Sequence, residues 1–250
     1  MSSVSALVVV HNEAEQLADC LECLRFADEI VVVLDRCTDA SPGIARRFTE
    51  RVVVGAWERE GDRRNAGIEA CAGPWIFEVD ADERVGPALA REIRAMVSIS
   101  GYDRHLVPVD NYIGTRKVRW GWGAGFGRSA HPGLFRKGTK VWGPQRVHPA
   151  LKLRGREGPP LTARLDHYVD RSISDMLHRL DRYTTARARD LRESGTIGSF
   201  GANLRRIFSR FWKCYVARRG YREGPWGFLI ALCAGLYPIL SYLKARLETE

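Results

Sequence analysis

Residues 74–84 read PWIFEVDADER, and the reading of this stretch decides the fold. Trp75, Ile76, Phe77 and Val79 form an apolar run long enough for a buried strand, and it stops at Asp80-Ala81-Asp82. Two carboxylates therefore sit where a core strand meets a loop. Side chains alternate along an extended chain, so Asp80 and Asp82 point roughly the same way and can face one hard cation carrying phosphate oxygens. The same tripeptide also suits a solvated turn, because Asp favours turns on its own account. The residues upstream separate the two readings.

Residues 5–10 are a β-branched run that ends at His11-Asn12-Glu13, and Leu17, Cys20, Leu21 and Leu24 then recur at helical spacing. Residues 30–34 make a second buried strand, which stops at Asp35-Arg36-Cys37-Thr38-Asp39. Ser41-Pro42 can start a helix with Pro at its first position, and residues 52–54 are a third short strand. Strands alternating with helices predict a parallel sheet whose ligands collect at the carboxyl ends of the strands. Asn12, Asp35 and Asp80 all fall at such ends. Between the third strand and Asp80, Arg64 and Asn65 are predicted to open a helix, where a guanidinium and free backbone N–H groups suit a diphosphate or a base edge. A capping turn with solvated arginines is the alternative.

At 250 residues and 45% hydrophobic, the chain can bury one large α/β core or a core with an appendage. Its six cysteines lack zinc-type spacing and read as reduced thiols, with Cys20 and Cys23 structural within a helical pattern. No basic start, apolar middle and small-residue cleavage site opens the sequence, which predicts a cytoplasmic protein. The net charge of +9 is unevenly spread. Residues 1–100 hold 11 Lys and Arg against 18 Asp and Glu, a balance of −7, and residues 101–250 hold 28 against 12, a balance of +16. The second half is therefore expected to meet an anionic surface or substrate.

Four motifs in order, His11-Asn12-Glu13, Leu34-Asp35-Arg36-Cys37-Thr38-Asp39, Arg64-Asn65-Ala66-Gly67-Ile68 and Asp80-Ala81-Asp82, resemble those of family 2 glycosyltransferases with the GT-A fold. The resemblance implies an α/β fold with a Rossmann-like mixed sheet flanked by helices. It implies a nucleotide-sugar donor, with Asp35 hydrogen-bonding the nucleobase, Asn12 and Glu13 lining the same pocket, and Arg64 and Asn65 near base or phosphates. Asp80 is similar to the family's ribose or metal contact, and Asp82 to the direct ligand of Mg2+ or Mn2+.

The second half is similar to the subset of the family that builds the lipopolysaccharide core. The matching pieces are Leu134-Phe135-Arg136-Lys137-Gly138, Val147-His148, Leu165-Asp166-His167-Tyr168 and Arg182-Tyr183-Thr184. In that pattern a Glu general base follows the Val-His pair; here the position is Pro149, which cannot accept a proton. His148 is the candidate to replace it, since its unperturbed pKa lies nearest neutrality, and Glu157 and Asp110 are alternatives. His167 resembles the late histidine that GT-A enzymes present toward metal and diphosphate. Residues 119–127, RWGWGAGFG, alternate Gly with aromatic residues. Trp120 and Trp122 suit a lid or an acceptor-stacking loop, as Arg136 suits the acceptor side; a glycine-rich strand packed in the core is the other reading.

From residue 172 the character changes. Ile173, Met176, Leu177, Leu180 and Tyr183 sit at helical spacing, and residues 204–213 interleave Arg and Lys with Phe and Trp, as interfacial helices do. No nucleic-acid module accompanies the basic residues, so nucleic acid is not an expected partner. Residues 224–243 carry no charge, near the ~20 residues that span a bilayer, but Pro225, Gly227, Gly235 and Pro238 interrupt them. A helix hairpin lying in or dipping into the membrane is expected, with a true membrane span, or packing on the sheet or on a second copy of the chain, as the alternatives. The sequence thus predicts a catalytic domain over residues 1–170 and a helical, membrane-associating region over 171–250. The implied activity is metal-dependent, inverting transfer of a hexose from a nucleotide sugar to a lipid-linked or lipopolysaccharide-core saccharide, by a cytoplasmic protein on the anionic inner membrane. A catalytically lapsed, saccharide- or membrane-binding scaffold is the alternative that Pro149 motivates.

Overall fold

The structure is a computed structural model that describes residues 2–122, 128–146 and 149–248. Two compact units divide the chain: Met1–Val109, Ala130–Gln145 and Pro149–His167 form the first, and Asp110–Ser129, Arg146–His148 and Tyr168–Glu250 the second. The first opens as strands and helices in alternation: β1 (Val4–Val10), α1 (Ala14–Glu22), β2 (Glu29–Asp35), α2 (Ser41–Arg46), β3 (Val52–Gly55), α3 (Glu60–Ala70) and β4 (Trp75–Asp80). The chain continues through β5 (Glu83–Val85), α4 (Pro87–Ile99), β6 (Arg104–Ile113), then β7 (Arg116–Val118), β8 (Ala130–Arg136), β9 (Lys140–Trp142), β10 (Leu151–Leu153) and β11 (Leu165–Asp170).

The sheet order is β3-β2-β1-β4-β8-β6-β11-β5, with β9 and β10 in a separate antiparallel pair. β3, β2, β1 and β4 are mutually parallel, whereas β8 runs antiparallel to β4 and to β6. The parallel strands read as near-continuous apolar runs because both faces are covered. Alternation sends Val4, Ala6, Val8, Val10, Trp75, Phe77 and Val79 to the face that packs on α1 and α4. Leu7, Val31, Val33 and Ile76 go to the other face, with Ile68 and Cys71 from the α3 side.

α3 begins at Glu60, four residues before the expected opening at Arg64. Glu60 and Asp62 place negative charge in its first turn, where the helix dipole favours it, so Arg64 lies in the second turn and the free N–H groups belong to the residues before it. Gly61 lets this start lie against β9: a Cβ there would come 1.9 Å from the Gly143 carbonyl oxygen.

The second unit holds the ends of β6 and β11 from Asp110 and Tyr168 on, β7, and three helices: α5 (Ile173–Glu193), α6 (Phe200–Trp212) and α7 (Pro225–Leu247). Ser172 caps α5 by accepting the Asp175 N–H at 3.1 Å. Its buried stripe is Met176, Leu180, Thr184 and Ala188, while Ile173 and Leu177 are half exposed. Residues 225–247 form one continuous helix, which corrects the expected hairpin. Pro225 occupies the helix start, where a missing N–H costs nothing, and Pro238 is retained mid-helix because Ala231, Ala234, Gly235, Tyr237 and Ile239 are buried by tertiary packing. α7 is long and apolar enough to cross a membrane, with mean hydropathy 1.7 over its most apolar window, and half of that window is buried within the protein.

Gly61→Ala is expected to push α3 off Gly143 and lower stability by about 1–3 kcal/mol, read from the midpoint of urea unfolding. An unchanged midpoint would mean that the helix start does not lie there.

Candidate active site

The carboxyl ends of the parallel strands carry the loops in which three of the four sequence motifs fall, and the Arg64-Asn65 motif lies in α3. At the end of β2 the Asp35 side chain is fully buried and takes four N–H donors: Arg36 Nε and Nη2 at 3.0 Å each, the Trp57 backbone at 2.9 Å and Arg63 Nη1 at 3.2 Å. Burial alone would push its carboxyl up, but the Arg36 and Trp57 hydrogen bonds and the nearby guanidinium charges outweigh it and hold Asp35 below the usual carboxylate range. Arg36 reaches back to its neighbour from a left-handed backbone, φ +48°. Asn12, also left-handed at φ +58°, accepts the Thr38 and Asp39 N–H groups at 2.8 and 3.3 Å. His11 Nδ1 donates to the Asp35 carbonyl at 2.7 Å, and the Glu13 N–H donates to Ser41 Oγ at 3.0 Å. Asn12, Glu13 and Asp35 are thus brought together by two loops stitched to each other.

Arg64 is engaged on every side. Its Nη1 meets Glu78 at 2.8 Å, its Nε and Nη2 meet Glu60 at 2.9 Å, and its Nη2 also meets Asp80 at 2.9 Å. Burial pushes the guanidinium down, yet Asp80, Glu60 and Glu78 together raise it well above its ordinary range, so it stays charged. Glu78 is 3% exposed and its other oxygen meets Lys140, 1% exposed, at 2.6 Å. Burial pushes Glu78 up, and Lys140 and Arg64 outweigh it. Both cations lie over the Trp142 ring, at 5.0 and 4.6 Å, and Asn65 exchanges two hydrogen bonds of 2.9 Å with the Trp142 backbone.

The Asp80-Ala81-Asp82 turn is fixed from behind. Buried Glu83 accepts the Asp80 N–H at 2.9 Å, and Arg84 donates to the Ala81, Glu83 and Gln16 carbonyls at 2.9, 2.9 and 3.0 Å. Asp82 Oδ2 lies 3.3 Å from Nε2 of His167, which the β5–β11 register pairs with Glu83. The other oxygen, Asp82 Oδ1, is buried and has no hydrogen-bond partner. An orphaned carboxylate oxygen beside an imidazole fits a hard or borderline divalent cation. Among the described residues no cluster of three His, Cys, Asp or Glu could hold a metal unaided. Asp82 and His167 could therefore hold a divalent ion only with further ligands from outside these side chains.

Other expected residues lie elsewhere. His148 is outside the described residues. Arg136 pairs in register with Trp75 at the opposite end of β4, and its guanidinium is used on the Ser100 and Tyr102 carbonyls and the Trp75 ring. Of the alternative bases, Glu157 is paired with Arg104 at 3.1 Å and Asp110 with Lys117. Trp122 is buried in the core of the second unit, where its indole donates to the Val118 carbonyl at 2.6 Å, and Trp120 lies beside Arg219 and Arg222. Sequence reasoning missed Trp57, Arg63, Glu78, Lys140 and Trp142. Glu78 alone left a signal, a charge inside an apolar strand that must find a counter-ion.

A mixed sheet whose parallel half ends in aspartate-bearing loops has the architecture of the GT-A fold. The profile of glycosyl transferase family 2 matches residues 5–146, and the chain belongs to that family. It is 26% identical to the lipopolysaccharide core biosynthesis glycosyltransferase LpsC of Rhizobium meliloti, over 96% of this chain and 91% of LpsC. It is 22% identical to an uncharacterized glycosyltransferase of Rickettsia felis, over 98% and 90%. Among solved structures, S. aureus TarS 1–349 in complex with UDP-GlcNAc superposes with a TM-score of 0.52 at 14% identity, covering 95% of this chain and 81% of that one.

Lys140→Met should cost about 3 kcal/mol by leaving Glu78 short of its nearest cation, and Glu78→Gln with Lys140→Met should recover part of the loss in urea unfolding. Asp35 gives a pH signature. Its folded pKa is depressed, so its stabilisation is fully present above the ordinary 3.8 and is lost as pH falls through the lowered value. Asp35→Asn should therefore be less stable than the parent near neutrality, with the gap closing as urea midpoints are followed down to about pH 3.

Proposed function

We propose that the protein transfers a hexosyl group from a nucleotide sugar to a lipid-linked or lipopolysaccharide-core saccharide, with Mg2+ or Mn2+ and with inversion at the anomeric carbon. The observation that carries this reading is the buried, partnerless Asp82 Oδ1 at the edge of the parallel strands in a family 2 chain. Asp80, Asp82 and His167 would hold the cation. When bound, such an ion stabilises the negative charge that grows on a departing diphosphate. Arg64 orients the Asp80 carboxylate, and the stitched loops of Asn12, Glu13 and Asp35 offer the nucleoside a rigid bed with Asn65 and α3 alongside. The acceptor hydroxyl attacks opposite the leaving group, and His148 is the proposed base. The acceptor class is supported by likeness to LpsC, and a nucleotide-sugar donor by the fold shared with UDP-GlcNAc-bound TarS.

The second unit is the proposed membrane contact, on the cytoplasmic side of the inner membrane. On α6, Phe200, Leu204, Phe208 and Trp212 recur every fourth residue and are all exposed, Phe208 at 72% and Trp212 at 64%, with Arg205, Arg206 and Lys213 exposed beside them. An apolar stripe flanked by cations fits an anionic bilayer surface.

Asp82→Asn is expected to slow nucleoside diphosphate release by about 100-fold or more at an unchanged unfolding midpoint. Turnover without divalent ions that survives in Asp80→Asn/Asp82→Asn would remove the reading. Phe208→Ser/Trp212→Ser should weaken cosedimentation with phosphatidylglycerol-containing vesicles by about tenfold or more, from the apolar area withdrawn. Equal cosedimentation would show that the stripe does not meet the bilayer.

A further inference from the structure

Residues 119–122 and 218–223 are locked together within the second unit. The buried Glu223 carboxylate accepts the backbone N–H groups of Arg119 at 2.7 Å and Trp120 at 3.1 Å, and Arg116 stands 3.6 Å from it. Gly121 donates its N–H to the Arg218 carbonyl at 3.0 Å, and Arg218 returns a hydrogen bond to the Trp122 carbonyl. Gly121, at φ +86°, lies so close that a Cβ on it would fall 2.9 Å from Gly220 Cα.

This lock presents one indole with two guanidinium groups on it. Arg219 and Arg222 place their Cζ atoms 5.6 and 5.2 Å from the Trp120 ring centre, and exposed Arg119 precedes Trp120 in sequence. Arg119, Arg219 and Arg222 are all exposed, and among the described residues none of the three has a carboxylate partner. Glu223 is already taken up by backbone. Two like charges on one ring repel, and Arg219 sits at φ +58°, a left-handed backbone that costs a non-glycine residue about 1 kcal/mol or more. An anion would relieve the first penalty and explain why the second is kept.

We propose that Arg219 and Arg222, aligned by Trp120, bind a phosphate group carried by the saccharide acceptor; the proposal rests on the glycosyl-transfer reading above. Guanidinium forks match phosphate oxygens two at a time, and among the described residues neither guanidinium here is paired with a carboxylate.

The test is equilibrium binding of trehalose 6-phosphate and neutral trehalose to the full chain, with UDP present in excess to occupy the donor site. The parent should bind the phosphate ester and not trehalose, and Arg219→Gly/Arg222→Gln should lose about tenfold or more in affinity. Arg46→Gln/Arg47→Gln, which removes the same charge from the first unit, should lose little. Arg219→Gly alone should hold or raise the unfolding midpoint, because glycine relieves the left-handed strain. Equal binding of both sugars, an equal loss in the Arg46/Arg47 variant, or a fall in the Arg219→Gly midpoint would each overturn the proposal. So would loss of binding to phosphatidylcholine vesicles with about one-fifth phosphatidylglycerol while trehalose 6-phosphate still binds, since that would assign the platform to lipid headgroups. Failure of UDP to bind would strike the glycosyl-transfer reading and leave the saccharide-phosphate result to be read by itself.

Discussion

A carboxylate in the fourth position of a strand buried on both faces costs several kcal/mol unless opposite charge reaches it, and Glu78 imposes that requirement on everything around it. Lys140 answers from β9 and Arg64 from α3, so one strand residue pins a helix and a strand pair that would otherwise meet the sheet by apolar contact alone. Trp142 covers both cations, and Asn65 completes the backbone edge of β9. The consequence reaches the motif edge. Arg64, held by Glu78 and Glu60, extends its remaining valence to Asp80, so the first aspartate of the turn is set by a network that begins two residues inside the core.

The parallel half of the fold was legible because strands buried on both faces must be apolar throughout, and residues 4–80 repeat that pattern between helical spacings. The Asp35 loop, the Asn12 loop and the Asp80 turn were legible for the same reason, as the polar punctuation of those runs. Partners that arrive from distant antiparallel segments were not. Nothing in Leu134-Phe135-Arg136 announces that it pairs with Phe77, Ile76 and Trp75, which sends Arg136 to the far end of β4. Lys140 and Trp142 likewise carry no local sign of Glu78. In residues 224–243 the local signals pointed the wrong way: Pro225, Gly227, Gly235 and Pro238 suggest a break, yet packing energy along a whole helix exceeds the cost of one lost hydrogen bond at Pro238.

The two units use arginine differently. In the first, Arg36, Arg63, Arg64 and Arg84 are spent on carboxylates and carbonyls of the motif loops, where they fix geometry. In the second, arginines around Trp120 have backbone fixed for them by Glu223 and keep their charge for solvent or a ligand. The excess of positive charge in residues 101–250 is thus partly gathered on a built surface, and gathered charge recognises anions with a specificity that dispersed charge lacks.

Charge balance at the acidic edge bears on the cation. Glu60, Glu78, Asp80 and Asp82 supply four carboxylates around the Arg64 and Asp82 contacts, and Arg64 and Lys140 supply two cations, with Glu83 and Arg84 adding one of each sign. Two negative charges remain over, on a sheet edge that would have to receive a diphosphate. Arg64, already committed on all its nitrogens, has none left for an anion brought to that edge. A divalent ion at Asp82, as proposed above, would offset that excess and give Asp82 Oδ1 the partner it lacks. On the proposed reading, a divalent ion would serve the protein as much as the leaving group, by offsetting charge that the edge itself carries.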